Sequence, residues 1–277
     1  MTKVINTKNI TLLTTLILVL SIGGGSIAPY SESVNAYVCR DIIDAPISAS
    51  GENVYVTWAN NKTGDWEVLF RASNDSGNSF GEKINLSNSP GINSFDPDIA
   101  SDDKNVYVTF HDARSGSVDT YVRTSTDGGK TFGPLISING TGTLEQKPEI
   151  RPPNFDPVED AMENTIIAAS DNNVYVSSWD KKTGNWEVFL SASNDNGQTF
   201  GETINLSNSS DAKSDRAILE AEGNNVYVSW WETTAPGKQD PVLRVSNDNG
   251  QTFGPVLDLG ANSTIGETEE TTRSPTQ

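Results

Sequence analysis

Apolar residues between positions 45 and 260 come in short runs of about four to eight residues, as in Val54-Tyr55-Val56-Thr57-Trp58. Polar turns rich in Asn, Asp, Ser and Gly separate them. Beyond the N-terminus no window carries a helical spacing, so the pattern predicts strands. In the first stretch these fall at Pro46–Ser50, Asn53–Ala59, Trp66–Ser73 and Phe80–Leu86, with turns over 60–65 and 74–78. The second and third of them carry bulky side chains at successive positions. That implies a sheet covered on both faces.

The pattern repeats. Asn53-Val54-Tyr55-Val56 returns at 105–108, 173–176 and 225–228. About twenty residues after each tyrosine stands an aspartate in a fixed setting: SNDSGNSFG at 73–81, STDGGKTFG at 125–133, and SNDNGQTFG at both 193–201 and 246–254. The aspartates are Asp75, Asp127, Asp195 and Asp248, separated by 52, 68 and 53 residues. Unit one also resembles unit three over more than thirty residues, 120 positions later, so the chain looks like a duplicated pair. Four units follow, at about 45–90, 95–139, 166–210 and 216–260. A unit alone would expose both faces of its sheet, and stacking neighbours covers them. The expected fold is all-β, a β-propeller-type array of four four-stranded antiparallel blades within a domain over 37–260. Such an array is either a closed four-bladed ring or an incomplete propeller. A Pro-rich loop over 140–165 accounts for the long spacing, and 261–277 reads as a polar tail.

The setting Ser-x-Asp-x-Gly-x-Thr-Phe resembles the Asp box, or BNR repeat, of the sialidase-like β-propeller superfamily, and the resemblance spans about residues 45 to 260. The motif has a physical reason. A short carboxylate accepts hydrogen bonds from its own loop. Gly77, Gly129, Gly197 and Gly250 permit positive φ, and Phe80, Phe132, Phe200 and Phe253 are expected to plug each turn into its blade. The four aspartates therefore read as structural. The resemblance also implies, for a sialidase, six blades, three arginines on the substrate carboxylate, a tyrosine nucleophile with a glutamate, and an aspartate as acid/base. This chain departs from that pattern. Its units number four, and Cys39-Arg40-Asp41-Ile42 replaces the early Phe/Tyr-Arg-Ile-Pro motif. Tyr55, Tyr107, Tyr175 and Tyr227 share one repeated strand position, and Arg71, Arg123 and Arg244 share another, so these are packing residues. No catalytic residue is assigned.

Composition sharpens the setting. The formal charge of −18 opposes nucleic-acid and anionic-membrane partners. The single cysteine, Cys39, excludes an internal disulfide and a multi-cysteine zinc site. Lys3 and Lys8 precede a 13-residue apolar run, Ile10–Ile22, with small residues beyond it. This predicts a signal peptide over 1–36 cleaved after Ala36, no stable membrane span afterwards, and a mature charge of −19. Asn61, Asn74, Asn85, Asn139, Asn205, Asn208 and Asn262 head glycosylation triplets. A secreted or cell-surface glycoprotein is the expectation.

Function on a repeat scaffold lies where units differ. The second strands end differently: Trp58-Ala59-Asn60, Phe110-His111-Asp112-Ala113-Arg114, Trp179-Asp180-Lys181 and Trp231-Glu232. His111, Asp112 and Arg114 are a candidate rim cluster, with Asp180 and Glu232 at the matching places. The innermost strands carry Asp96, Asp98, Arg216 and Glu220, where carboxylates opposed to a guanidinium would line the axis and take a sugar or a cation. Neither set has the spacing of a calcium loop, and no cofactor or metal is implied. The reading is a non-catalytic binding or cell-surface module for glycans or envelope proteins. The alternative is a sialidase-like exo-glycosidase with a diverged active site.

Overall fold

The computed structural model describes residues 45–112, 119–138, 165–181 and 183–261. The expected signal peptide, Cys39, Arg40, Arg114, Asn139, Asn262, nearly all of the Pro-rich loop and all but the first residue of the tail lie outside them.

Every element among the described residues is a strand. The first blade comprises β1 (Ile47–Ser50), β2 (Asn53–Asn60), β3 (Glu67–Ser73) and β4 (Ile84–Asn85). The second comprises β5 (Ser94–Asp102), β6 (Asn105–Asp112), β7 (Asp119–Ser125) and β8 (Ile136–Ser137). The third holds β9 (Thr165–Ser170), β10 (Asn173–Asp180), β11 (Glu187–Ser193) and β12 (Ile204–Asn205). The fourth holds β13 (Lys213–Glu222), β14 (Asn225–Ala235), β15 (Lys238–Ser246) and β16 (Leu257–Asp258). Each blade is an antiparallel meander in chain order. The fourth strand is shorter than expected: Phe80–Leu86 reduces to the pair Ile84–Asn85. The repeated turn reaches as far as Gly81, whose N–H bonds Ala72 O at 2.8 Å, so few residues remain to pair.

Strand alternation sorts the side chains. On β14, Val226, Val228 and Trp230 are buried toward the third blade, while Tyr227 and Trp231 face outward. In the middle blades both faces are covered. The core is accordingly three clusters, each in a joint between neighbouring blades. The first packs Tyr55 and Phe70 against Val108, Phe110 and Tyr121. The second, smaller cluster packs Tyr107 and Val122 against Ile167, Val174 and Val176. The third packs Tyr175 and Leu190 against Leu219, Val228 and Trp230. Each large side chain so buried contributes about 1.5–3 kcal/mol. Among the described residues no cluster joins the fourth blade to the first, and the sheets are not closed. Of the two forms expected, the incomplete propeller is the one present.

Polar contacts reinforce the joints. Tyr55 donates to Asp103 O (3.3 Å) and Tyr107 to Asn196 Oδ1 (3.3 Å). The repeated arginine reaches back one blade: Arg123 Nε donates to Leu86 O (3.0 Å), and Arg244 Nη1 to Leu206 O (2.9 Å). The third blade has Ser191 there, bonded within its own blade to Thr203 (2.8 Å). The motif phenylalanines also serve the joint and not only their own blade. Phe132 meets the Phe70 ring edge-on at 4.9 Å, and Phe200 and Phe253 pack on the second and third clusters. Phe80, with no blade before it, is exposed.

Candidate functional site

Each blade has two ends, and the repeated turns occupy one. In the first, Ser73 Oγ donates to Asp75 Oδ1 (2.7 Å), and the same carboxylate accepts Ser79 N (2.8 Å) and Ser79 Oγ (2.5 Å). The turns at Asp127, Asp195 and Asp248 repeat this, with threonine in place of Ser79. These bonds, led by the hydroxyl at the far side of the turn, hold the carboxyls of Asp75, Asp127 and Asp248 down at about 2. Ionised groups committed to their own loop have no proton to donate near neutrality.

The opposite end, where the second strand turns into the third, differs between blades. Glu67, at the start of β3, is buried and accepts hydrogen bonds from Ser87 Oγ, Ser89 N (3.2 Å) and Ser89 Oγ (3.4 Å). Ser89 Oγ lies 2.7 Å from Ser94 Oγ, which donates to Asp112 Oδ2 at 2.8 Å. A chain of hydroxyls thus links a carboxylate of the first blade to one of the second. Glu187 repeats the arrangement with Ser207 and Ser209, and Ser209 meets Ser214 at 3.0 Å. Sequence reading missed both glutamates. The signal was present in the paired strings Trp-Glu-Val and Asn-Leu-Ser-Asn-Ser of units one and three.

The expected rim cluster is not assembled as foreseen. His111 and Asp112 are consecutive on a strand, so they point to opposite faces, and both are buried. His111 Nε2 meets Thr165 Oγ1 of the third blade at 3.0 Å, and its ring lies 5.8 Å from that of Phe95. Asp112 faces the serine chain. Asp180 is buried at the end of β10, opposite Glu187 in the ladder. Glu232 Oε2 accepts Trp230 Nε1 at 3.3 Å, and Glu220 is exposed beside Tyr227.

The expected opposition of Asp96 and Asp98 to Arg216 is also corrected. Asp96 (φ 48°) and Arg216 (φ 57°) occupy matching β-bulges in the second and fourth blades. Asp98 turns into a joint and accepts Ile167 N at 3.1 Å and Ile99 N at 2.8 Å. Burial pushes its carboxyl up, and these bonds oppose that. Arg216 instead pairs with its neighbour Asp215 (3.3 Å) and lies over the Trp231 ring, 5.6 Å from its centre. Asp215 also holds Lys213 Nζ at 2.7 Å. Lys213 and Lys181 stand 5.5 and 4.6 Å from the centre of the Trp186 ring. The result is a continuous row across the diverged ends of blades three and four: Lys181, Trp186, Lys213, Asp215, Arg216 and Trp231. Two indoles flanked by three cations and one carboxylate stack on apolar ring faces and hydrogen-bond hydroxyls or an anion.

The parts of a sialidase centre do not meet among the described residues. Arg123 and Arg244 hold backbone carbonyls, and Arg71 is exposed on the first blade. Tyr55, Tyr107 and Tyr175 are buried in joints; burial, with Asp102 nearby, pushes the Tyr107 phenol up to about 12. Two grooves of about 700 and 520 Å³ run between adjacent turns at the other end of the blades, and none of the candidate residues lines them. Among the described residues no helix is long and apolar enough to cross a membrane.

A protein of unknown function from Dyadobacter fermentans is similar in structure, with a TM-score of 0.53 and 16% identity over 79% of this chain and 69% of that one. A Trypanosoma rangeli sialidase solved with the inhibitor DANA gives 0.48 and 12%, covering 76% of this chain and 37% of that one. A mutant of NanB sialidase from Streptococcus pneumoniae gives 0.47 and 11%, covering 78% and 51%. The chain thus spans little more than a third of the first sialidase and half of the second. At these identities the likeness concerns the fold alone. No protein-family model matches the chain, and no curated protein is similar to it in sequence.

Proposed function

We propose that this is an exported, non-catalytic glycan-binding module, carried outside by the signal over 1–36 and binding through the diverged ends of its third and fourth blades. The observation that carries the reading is the row Lys181-Trp186-Lys213-Asp215-Arg216-Trp231. Its indoles suit the apolar face of a sugar ring, and its cations suit an acidic substituent. A cationic strip on a chain of charge −18 draws an anionic ligand to that one place. Non-catalytic status is supported by Arg123, Arg244, Tyr55 and Tyr107, which among the described residues are engaged in joints.

The test is a glycan-array screen of the chain beside Trp231→Ala and Arg216→Ala. Binding to acidic glycans is expected, weakened by about tenfold in either variant, the worth of one stacking or charge-assisted contact. Turnover of a fluorogenic sialoside that Arg216→Ala abolishes would overturn the reading and favour a diverged exo-glycosidase.

A further inference from the structure

The three internal joints share one plan, and the two terminal blades each hold half of it. On the side facing the following blade, a joint presents the repeated tyrosine and the residue that ends the outer strand. Tyr55, Tyr107 and Tyr175 are all 0% exposed, and Leu86 and Leu206 are at 1% and 0%. Their counterparts on the fourth blade, Tyr227 and Leu259, are 38% and 44% exposed. On the side facing the preceding blade, a joint presents the motif phenylalanine, the motif glycine, an apolar residue of the inner strand and, except in the middle joint where Ser191 stands, the repeated arginine. In the second blade that residue is Ile99, 7% exposed; its first-blade counterpart, Ile47, is 65% exposed. Phe80 is 39% exposed, Arg71 is exposed, and a Cβ on Gly77 would meet no neighbouring blade. In the internal joints the same glycine position abuts Phe70, Thr124 or Tyr175 of the blade before.

The open face of blade four therefore has the composition of one half of a joint, and the open face of blade one that of the other half. We propose that a second copy of this chain occupies them, the fourth blade of one copy docking head to tail on the first blade of the other. Tyr227 then lies over Gly77, Phe80 inserts beside Leu243 and Tyr227, and Arg71 donates to the carbonyl of Leu259, as Arg123 does to that of Leu86. Such a contact is heterologous and must close into a ring or run on as a fibre. Two copies supply eight blades, within the range that propellers close. Trp231 shares the outward face of β14 with Tyr227, and its counterparts Ala59, His111 and Trp179 are 2%, 2% and 4% exposed in the internal joints, so docking covers the indole that Arg216 lies over and competes with a ligand for both. The proposal does not depend on what they bind.

Sedimentation of the processed full chain at micromolar concentration tests this, beside Phe80→Asp, Tyr227→Asp and an equimolar mixture of the two. The wild type is expected as a dimer and each variant alone as a monomer. The mixture is expected to re-form a dimer, since one of its two joints pairs unaltered faces. A monomeric wild type, including one whose open faces are covered by another part of the chain or need a different protein, overturns the proposal. So does a dimer broken by only one variant and not restored by mixing, which marks a face pairing with itself. Both side chains are exposed in a single chain, so each variant should still fold and melt cooperatively, at a lower temperature only by the stabilisation that association lends the wild type. If Phe80→Asp fails to fold, Arg71→Glu tests the same face.

Discussion

The two ends of each blade contrast. At the turn end the four units are near copies, down to a serine-to-aspartate bond of 2.7 or 2.8 Å in each. At the other end a buried glutamate–serine chain recurs in the first and third blades, and what sets units apart is the indole-and-cation row of the last two. Uniformity at one end reflects a demand common to all blades, namely stacking on a neighbour. The other end bridges blades too, through Ser89–Ser94 and His111–Thr165, but with no single motif shared by every joint. The motif that first catches the eye therefore describes construction, and chemistry belongs to residues that occur once.

The largest effect is expected where the turn end meets a neighbouring blade. A Cβ on Gly129 would lie 2.5 Å from Phe70 Cζ, whereas one on Gly77 meets only Val54 of its own blade at 4.0 Å. Both glycines have positive φ, 76° and 82°. Gly77→Ala should cost about 1 kcal/mol through backbone strain alone. Gly129→Ala adds overpacking and should cost about 3 kcal/mol. Denaturant melts decide, and equal losses would mean that the joint yields easily.

A smaller loss is expected inside the diverged end. Glu67→Ala strips Ser87 and Ser89 of a buried charged acceptor and should lower stability by about 2 kcal/mol. Asp195→Ala, at a partly exposed turn, should lower it by about 1 kcal/mol. If the order reverses in thermal melts, the turns carry more than the buried chain.

Acid should reveal the turns collectively. The carboxyls of Asp75, Asp127 and Asp248 sit at about 2 in the folded chain, below the value of about 3.9 for a free aspartate. Their stabilisation is complete above the unfolded value and is lost as pH falls toward about 2. Asp98, raised by burial, has the opposite sign: its ionised form opposes folding at neutral pH, and that penalty fades on acidification. Melting temperature should thus hold steady down to about pH 5 and fall below about pH 4, with a shallower fall in Asp127→Asn. An identical profile in that variant would remove the turns from the account. The smallest effect on stability belongs to Trp231→Ala, within about 0.5 kcal/mol as at other exposed positions, although it should abolish much of the ligand binding.

Much of the fold was legible because repetition fixes local structure. The strand starts at Asn53, Asn105, Asn173 and Asn225 and the four turns could be read from neighbouring residues alone. What needed coordinates was every statement about which blade a side chain faces. Phe80 and Phe132 hold the same position in the repeated motif; packing on the preceding blade half-buries Phe132, whereas Phe80 is exposed. Arg216 sits at a bulge and pairs with its neighbour Asp215, and no periodicity announces a bulge. His111 and Asp112 looked like one cluster since they are adjacent, yet a strand sends neighbours to opposite faces. The serine chain joins Glu67 to serines 20 and 22 positions on, which only folding brings together.

Ser191 leaves the middle joint without the guanidinium clasp of the joints on either side, and the apolar cluster there is the smaller one. The molecule therefore has a grain. Local opening should begin between the second and third blades, and hydrogen exchange should divide the chain into two cooperative halves that match the ancient duplication seen in its sequence. A chain emerging from synthesis could complete its first half before the second exists. The unit that was once copied is then also the unit that folds.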